Sequence, residues 1–158
     1  EQVIKDGANE IDMVINIGAL KAGDTELVAR DIRGIVETAH RHGAIVKVII
    51  EVALLTDEEK VIASLLSKEA GADFVKTSTG YGFVKQPNGY YNYKGATDHH
   101  LILMRKHCHP DIQIKAAGGI RTLNDLLRVR SLGVNRIGAV ATQAILEKAR
   151  GMFSGLLA

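Results

Sequence analysis

Short β-branched runs alternate along the chain with longer stretches of helical spacing. The runs are Glu10–Ile15, Ile45–Glu51, Asp73–Thr77, Ile112–Ala116 and Val134–Gly138. Apolar residues at Leu27, Val28, Ile32, Ile35 and Val36 predict a helix over Leu27–Ala39. Those at Val61, Ile62, Leu65 and Leu66 predict another over Thr56–Ala70, where Thr56 followed by Glu59 is a start signal. Further helices are predicted over Ala96–Lys106, with Asp98 near its start, over Thr122–Leu132, and from Thr142 onward; Glu1–Ala8 reads as the tail of a helix. Gly7, Gly71 and Gly133 stand where a helix stops and a strand begins.

Strands alternating with helices predict a parallel sheet covered by helices. The runs are apolar on both sides, which fits a sheet buried on both faces. Polar residues then separate an open doubly wound sheet from a barrel. Glu10, Asp12, Lys47, Lys76 and Lys115 lie inside the runs. Charges in buried strands are costly unless they face one another, and a barrel lumen near its catalytic mouth lets them do so. The expected fold class is therefore α/β, of the TIM (β/α)8-barrel family. About five βα units are visible where a closed barrel has eight. We expect a single domain over residues 1–158, the C-terminal portion of a barrel that lacks about three units at its front.

Composition narrows the function classes. Lys plus Arg number 20 and Asp plus Glu 18, a net charge of +2, which gives no electrostatic case for nucleic acid or an anionic membrane. The single cysteine, Cys108, excludes an intrachain disulfide and points to a reducing, cytoplasmic setting. No apolar run approaches the roughly 20 residues of a membrane span, and the chain opens without signal-peptide character. His99, His100, His107 and His109 match no common zinc spacing, so no metal site is expected. All four tyrosines fall in one loop, Tyr81–Gly95, where Asn88-Gly89 signals a hairpin turn. A long loop after a barrel strand lies on the active-site side, in the place of a lid.

Three segments carry the candidate chemistry. Lys76 lies near the carboxyl end of a strand and is followed by Thr77-Ser78-Thr79-Gly80. In a partly desolvated site such a lysine is a Schiff-base nucleophile, and otherwise an ion-paired or snorkelling side chain. Lys115 ends the next strand, ahead of Ala116-Ala117-Gly118-Gly119-Ile120-Arg121. On neighbouring strands about 4.8 Å apart, two ammoniums disfavour each other's charge and one pKa falls. Gly118-Gly119 before a helix offers bare amides to a phosphate, or is only a tight turn. Glu10 and Asp12 are two apart and face one way. A carboxylate there can shuttle protons beside the lysines, or pair with Lys47, the more economical reading for Glu10. Glu51 is equally open to either role.

Lys76-Thr77-Ser78-Thr79-Gly80, Lys115 to Thr122 and Glu10 to Gly18, in this order, resemble the signature segments of the 2-deoxyribose-5-phosphate aldolase family, class I aldolases on a TIM barrel. The similarity runs from Ile4 to Ile145. The resemblance implies that Lys76 forms the Schiff base, that Lys115 lowers its pKa and that Asp12 belongs to the proton relay. It further implies that Thr79, Gly80, Gly118, Gly119, Gly138 and Thr142 hold the substrate phosphate. The implied reaction is reversible cleavage of 2-deoxy-D-ribose 5-phosphate to acetaldehyde and D-glyceraldehyde 3-phosphate, without metal or organic cofactor. The implied partners are small sugar phosphates and aldehydes, with a homo-oligomer as the assembly.

The sequence departs from that pattern after the last strand. The family usually carries a serine pair there, as in Gly-Thr-Ser-Ser, and this chain has Gly138-Ala139-Val140-Ala141-Thr142. Tyr81 stands where some members have a phosphate-contacting lysine, with Lys85 as the nearest substitute. Two other expectations stand beside the aldolase reading. The chain is an inactive barrel fragment or one completed by a partner or second copy, or it is a related lysine-dependent aldolase for another sugar phosphate.

Overall fold

The computed structural model describes residues 1–154 apart from 86, 94, 109 and 111. The expected alternation is realised. Strands β1 (Glu10–Val14), β2 (Ile45–Ile49) and β3 (Phe74–Lys76) form one sheet with two later strands, β6 (Gln113–Ala117) and β7 (Arg136–Gly138). All neighbours are parallel, in the order β1-β2-β3-β6-β7. Between β3 and β6 the chain forms an antiparallel hairpin, β4 (Phe83–Lys85) with β5 (Tyr91–Tyr93). Gly89 turns it with a left-handed φ of 83°, as Asn88-Gly89 requires.

The helices are α1 (Gln2–Lys5), α2 (Ile17–Lys21), α3 (Thr25–Arg41), α4 (Asp57–Glu69), α5 (Asp98–Cys108), α6 (Leu123–Ser131) and α7 (Thr142–Phe153). Helix α3 starts where the Asp24 carboxylate accepts from Leu27 N, and buries Val28, Ile32, Val36 and Ala39 at helical spacing. Helices α4 and α6 begin with full capping boxes, Thr56 with Glu59 and Thr122 with Asp125. No helix among the described residues is long and apolar enough to cross a membrane.

Two differences from the sequence expectation have physical reasons. The buried stripe of α4 is Lys60, Ala63, Ser64 and Ser67, whereas Ile62 and Leu65 are exposed. Small side chains let α4 pack closely between α3 and α5, and bulk faces outward. Helix α2 lay inside a segment without helical period. It forms because Asn16 Oδ1 caps Ala19 N, and it buries Ala19 and Leu20.

The sheet has two unlike faces. Val46, Val48, Ile50, Val75, Ile114 and Ala116 are fully buried and pack towards the helices. The alternate positions carry Glu10, Asp12, Lys47, Phe74, Lys76, Lys115 and Arg136. Glu10 on one edge strand and Arg136 on the other form an ion pair. Flat, those strands would lie about 19 Å apart, four spacings of about 4.8 Å. The sheet is therefore strongly curved, with its polar face on the concave side. Residue pairing repeats this layering: Asp12 opposes Lys47, and Lys76 opposes Lys115.

Candidate active site

The concave face concentrates charge around Asp12. Its Oδ2 accepts from Lys76 Nζ at 2.9 Å and from Lys115 Nζ at 3.2 Å, and its Oδ1 pairs with Lys47 Nζ at 3.2 Å. Lys47, almost fully buried, also reaches Glu10 Oε2 at 2.8 Å. Glu10 thus forms the structural pair anticipated from the sequence, and Arg136 completes it from β7. The Arg136 guanidinium also lies 4.8 Å above the Phe74 ring, a cation–π contact. The strand register brings Asp12, Lys76 and Lys115 together, as expected.

Burial opposes the charge on Asp12, but hydrogen bonds from Lys76 and Lys47 and the charges of Lys76 and Lys115 outweigh it and hold the carboxyl at about 2. Lys115 is held below the ordinary lysine value, first by burial and then by the charge of Lys76. Lys76 and Lys115 share one oxygen of Asp12 as their common partner. Such an arrangement holds an amine beside a carboxylate that can carry its proton.

The hydroxyls after Lys76 have separate tasks. Thr77 Oγ1 donates to Ala117 O and accepts from Ala117 N, both at 2.9 Å, and Ser78 Oγ donates to the same carbonyl at 2.8 Å. Both residues are fully buried and tie the carboxyl ends of β3 and β6 together. Thr79 turns the other way, to Glu51.

Beyond this clasp lies a cavity of about 380 Å³ lined by Thr79, Gly80, the turn 117–121 and the turn 138–140. It adjoins the lysine pair along the same strands, Thr79 three residues past Lys76 and Ala117 two past Lys115. Gly80, Gly118 and Gly119 take left-handed φ of 95°, 94° and 78°. Only glycine takes such angles without strain, so the main chain itself forms the wall. The amino end of α7 opens beside it with no side-chain cap. An anion of phosphate size is what bare amides at such a place can hold.

Not every expected residue lines the cavity. Thr142 lies outside the lining, with its hydroxyl donating to Ala139 O at 2.8 Å. Lys85 lies elsewhere too, in a second cavity with Lys60 and His100, because β4 runs against the turn at Val52–Leu54. In the hairpin loop, Tyr81 and Tyr90 are exposed, and Lys94 is outside the described residues. His99 pairs with Asp57 and His100 with Gly95 O, at the start of α5; His109 is outside the described residues. Among the described residues no group of three metal-ligating side chains gathers. Sequence reasoning missed the contacts of Glu51 and Arg136, which join residues 28 and 126 positions apart.

Parallel βα units with a polar site at the carboxyl ends of the strands define the general class. The DeoC/LacD family aldolase description matches residues 1–158, and the chain belongs to that family. It is 52% identical over 149 residues to a deoxyribose-phosphate aldolase of Thermococcus gammatolerans, covering 94% of this chain and 62% of that protein. It is 51% identical over 146 residues to one of Bacillus cytotoxicus, covering 92% of this chain and 60% of that protein. The fold superposes with a TM-score of 0.80 on deoxyribose phosphate aldolase from Aeropyrum pernix, described as a tetramer, at 32% identity over 95% of this chain and 58% of that one. The chain thus spans about 60% of the length of these curated relatives.

Proposed function

We propose that this chain carries the catalytic side of a class I aldolase cleaving 2-deoxy-D-ribose 5-phosphate, on five units of a (β/α)8 barrel. The observation that carries the reading is the pair Lys76 and Lys115 on one oxygen of Asp12, beside a glycine-walled cavity of about 380 Å³. Neutral Lys76 attacks the aldehyde carbon of the open-chain sugar, and loss of water leaves an iminium. The iminium draws in the electrons of the breaking carbon–carbon bond as the neighbouring hydroxyl gives up its proton. Glyceraldehyde 3-phosphate departs, and an enamine stays on Lys76. Asp12 and Lys115, bridged by water, reprotonate the enamine carbon, and hydrolysis frees acetaldehyde and the amine. Gly80, Gly118, Gly119 and Gly138 hold the phosphate through main-chain amides.

Borohydride reduction in the presence of 2-deoxyribose 5-phosphate tests this. The expected result is a mass adduct on Lys76. No adduct, under conditions that label a full-length relative, overturns the proposal. An adduct with a different aldehyde preference points to another sugar phosphate.

A second reading rests on the sheet edges. Strands β1 and β7 end the five-stranded order, and Val14 at the β1 edge is exposed. Such edges invite pairing. Further strands, from a longer chain or a second copy, then complete the site. The solution mass decides: an oligomer, with protection of β1 amides, supports completion by copies, in keeping with the tetramer of the Aeropyrum pernix relative.

A further inference from the structure

Glu51 has no part in the lysine chemistry, yet its setting is unusually constrained. It follows β2, is only 3% exposed, and takes a φ of 54°, alone in the left-handed region among the described non-glycine residues. Side chains other than glycine enter that region under strain. Its Oε2 accepts from Thr79 N at 3.1 Å and from the Thr79 hydroxyl, which in turn accepts from Tyr81 N at 3.0 Å. Its Oε1 is buried without a hydrogen-bond partner among the described residues. Gly82 passes so close that a Cβ there would lie 2.7 Å from Oε1. A buried carboxylate with a spare oxygen and a strained backbone is a poor way to stabilise a core. What it holds is the wall formed by Thr79 and Gly80.

We infer that Glu51 is a positioning residue, fixing Thr79–Gly82 from beneath and thereby setting the affinity of the adjoining cavity for phosphate. The inference rests on reading that cavity as the phosphate site. It separates two functions on one loop. Lys76, at the start, is placed by the strand and by Asp12; Gly80, four residues on, is placed by Glu51.

The test compares Glu51→Asn with the parent chain. Asparagine tolerates a left-handed φ, which protects the fold, but is too short to reach Thr79. Glu51→Gln keeps the length and one acceptor oxygen. Three readouts are taken: amide exchange at Thr79 and Tyr81, binding of inorganic phosphate, and borohydride trapping of acetaldehyde, which has no phosphate, on Lys76. In Glu51→Asn the two amides are expected to exchange faster and phosphate to bind about tenfold more weakly, the loss of one to two good hydrogen bonds, with acetaldehyde trapping unchanged. Glu51→Gln is expected to restore most of the phosphate affinity. Parent-like amide exchange, unchanged phosphate binding, or equal loss of phosphate binding and acetaldehyde trapping overturns the role of Glu51. A parent chain that binds no phosphate overturns the reading of the cavity instead.

Discussion

Lys76 and Lys115 are register partners on adjacent strands, and both ammoniums reach the same oxygen of Asp12, at 2.9 and 3.2 Å. Removing either lysine therefore changes the charge felt by the other.

Lys115→Met keeps the bulk and deletes one cation. Adduct formation on Lys76 at neutral pH is expected to fall by about 100-fold, the scale of a lost acid–base partner. Trapping rates of the variant and the parent measure this, and equal rates contradict a role for Lys115 in the chemistry. Burial and Lys76 hold Lys115 below the ordinary lysine value, so its protonated form is less stable in the fold than in the open chain. Wherever Lys115 is charged, the substitution relieves that cost. Its urea midpoint is expected to match or exceed the parent's.

Asp12→Asn is expected to act on stability in the opposite sense. The Asp12 carboxyl, held at about 2 in the fold against an ordinary 3.8, contributes stability above the ordinary value that is lost as pH falls towards 2. At neutral pH the variant should be less stable by about 1–2 kcal/mol after allowance for solvent screening. The difference from the parent should shrink steadily below about pH 4. Urea unfolding at several acid pH values gives this curve, and a constant difference contradicts the ion-pair account.

The turn before α7 lacks hydroxyls on the cavity side, where Val140 is fully exposed. Replacing Val140 and Ala141 by serine restores the serine pair of the resembled family. Each productive hydrogen bond is worth about 1 kcal/mol, so phosphate should bind about fivefold tighter per hydroxyl. Isothermal titration with inorganic phosphate measures the gain.

Gly95 joins the hairpin to α5 against the Gly118 turn, where a Cβ would lie 2.5 Å from Gly118 Cα. Ala96 N donates to Gly118 O across the same contact, at 3.2 Å. Gly95→Ala must push these segments apart, at a cost of roughly 1–3 kcal/mol. Thermal unfolding and phosphate affinity should both worsen. A variant with parent-like values would mean that the hairpin does not buttress the cavity.

The lysine and aspartate positions were legible because strand alternation fixes which side chains share a face, and because charges inside apolar runs demand one another. Glu10 with Lys47 followed from the same logic. The packing of α4 was not legible: Val61, Ile62, Leu65 and Leu66 outweigh Ala63, Ser64 and Ser67 in any hydrophobic tally, yet close helix approach selects the small residues. Helix α2 is too short to display a period. Glu51 and Thr79 meet only through the parallel crossover, so neither residue advertises the other locally. Thr142 has the right chemistry for an anion, but its hydroxyl is taken by a carbonyl three residues earlier.

The curvature that joins Glu10 to Arg136 has an electrostatic outcome. Among the described residues, Lys47, Lys76, Lys115 and Arg136 pair with Glu10 and Asp12 in the hollow, a formal surplus of two positive charges, equal to that of the whole chain. The rest of the sequence is thus formally neutral, and the surplus positive charge sits in the concavity. Capture of a doubly charged phosphate ester should accordingly slow as ionic strength shortens the reach of that field.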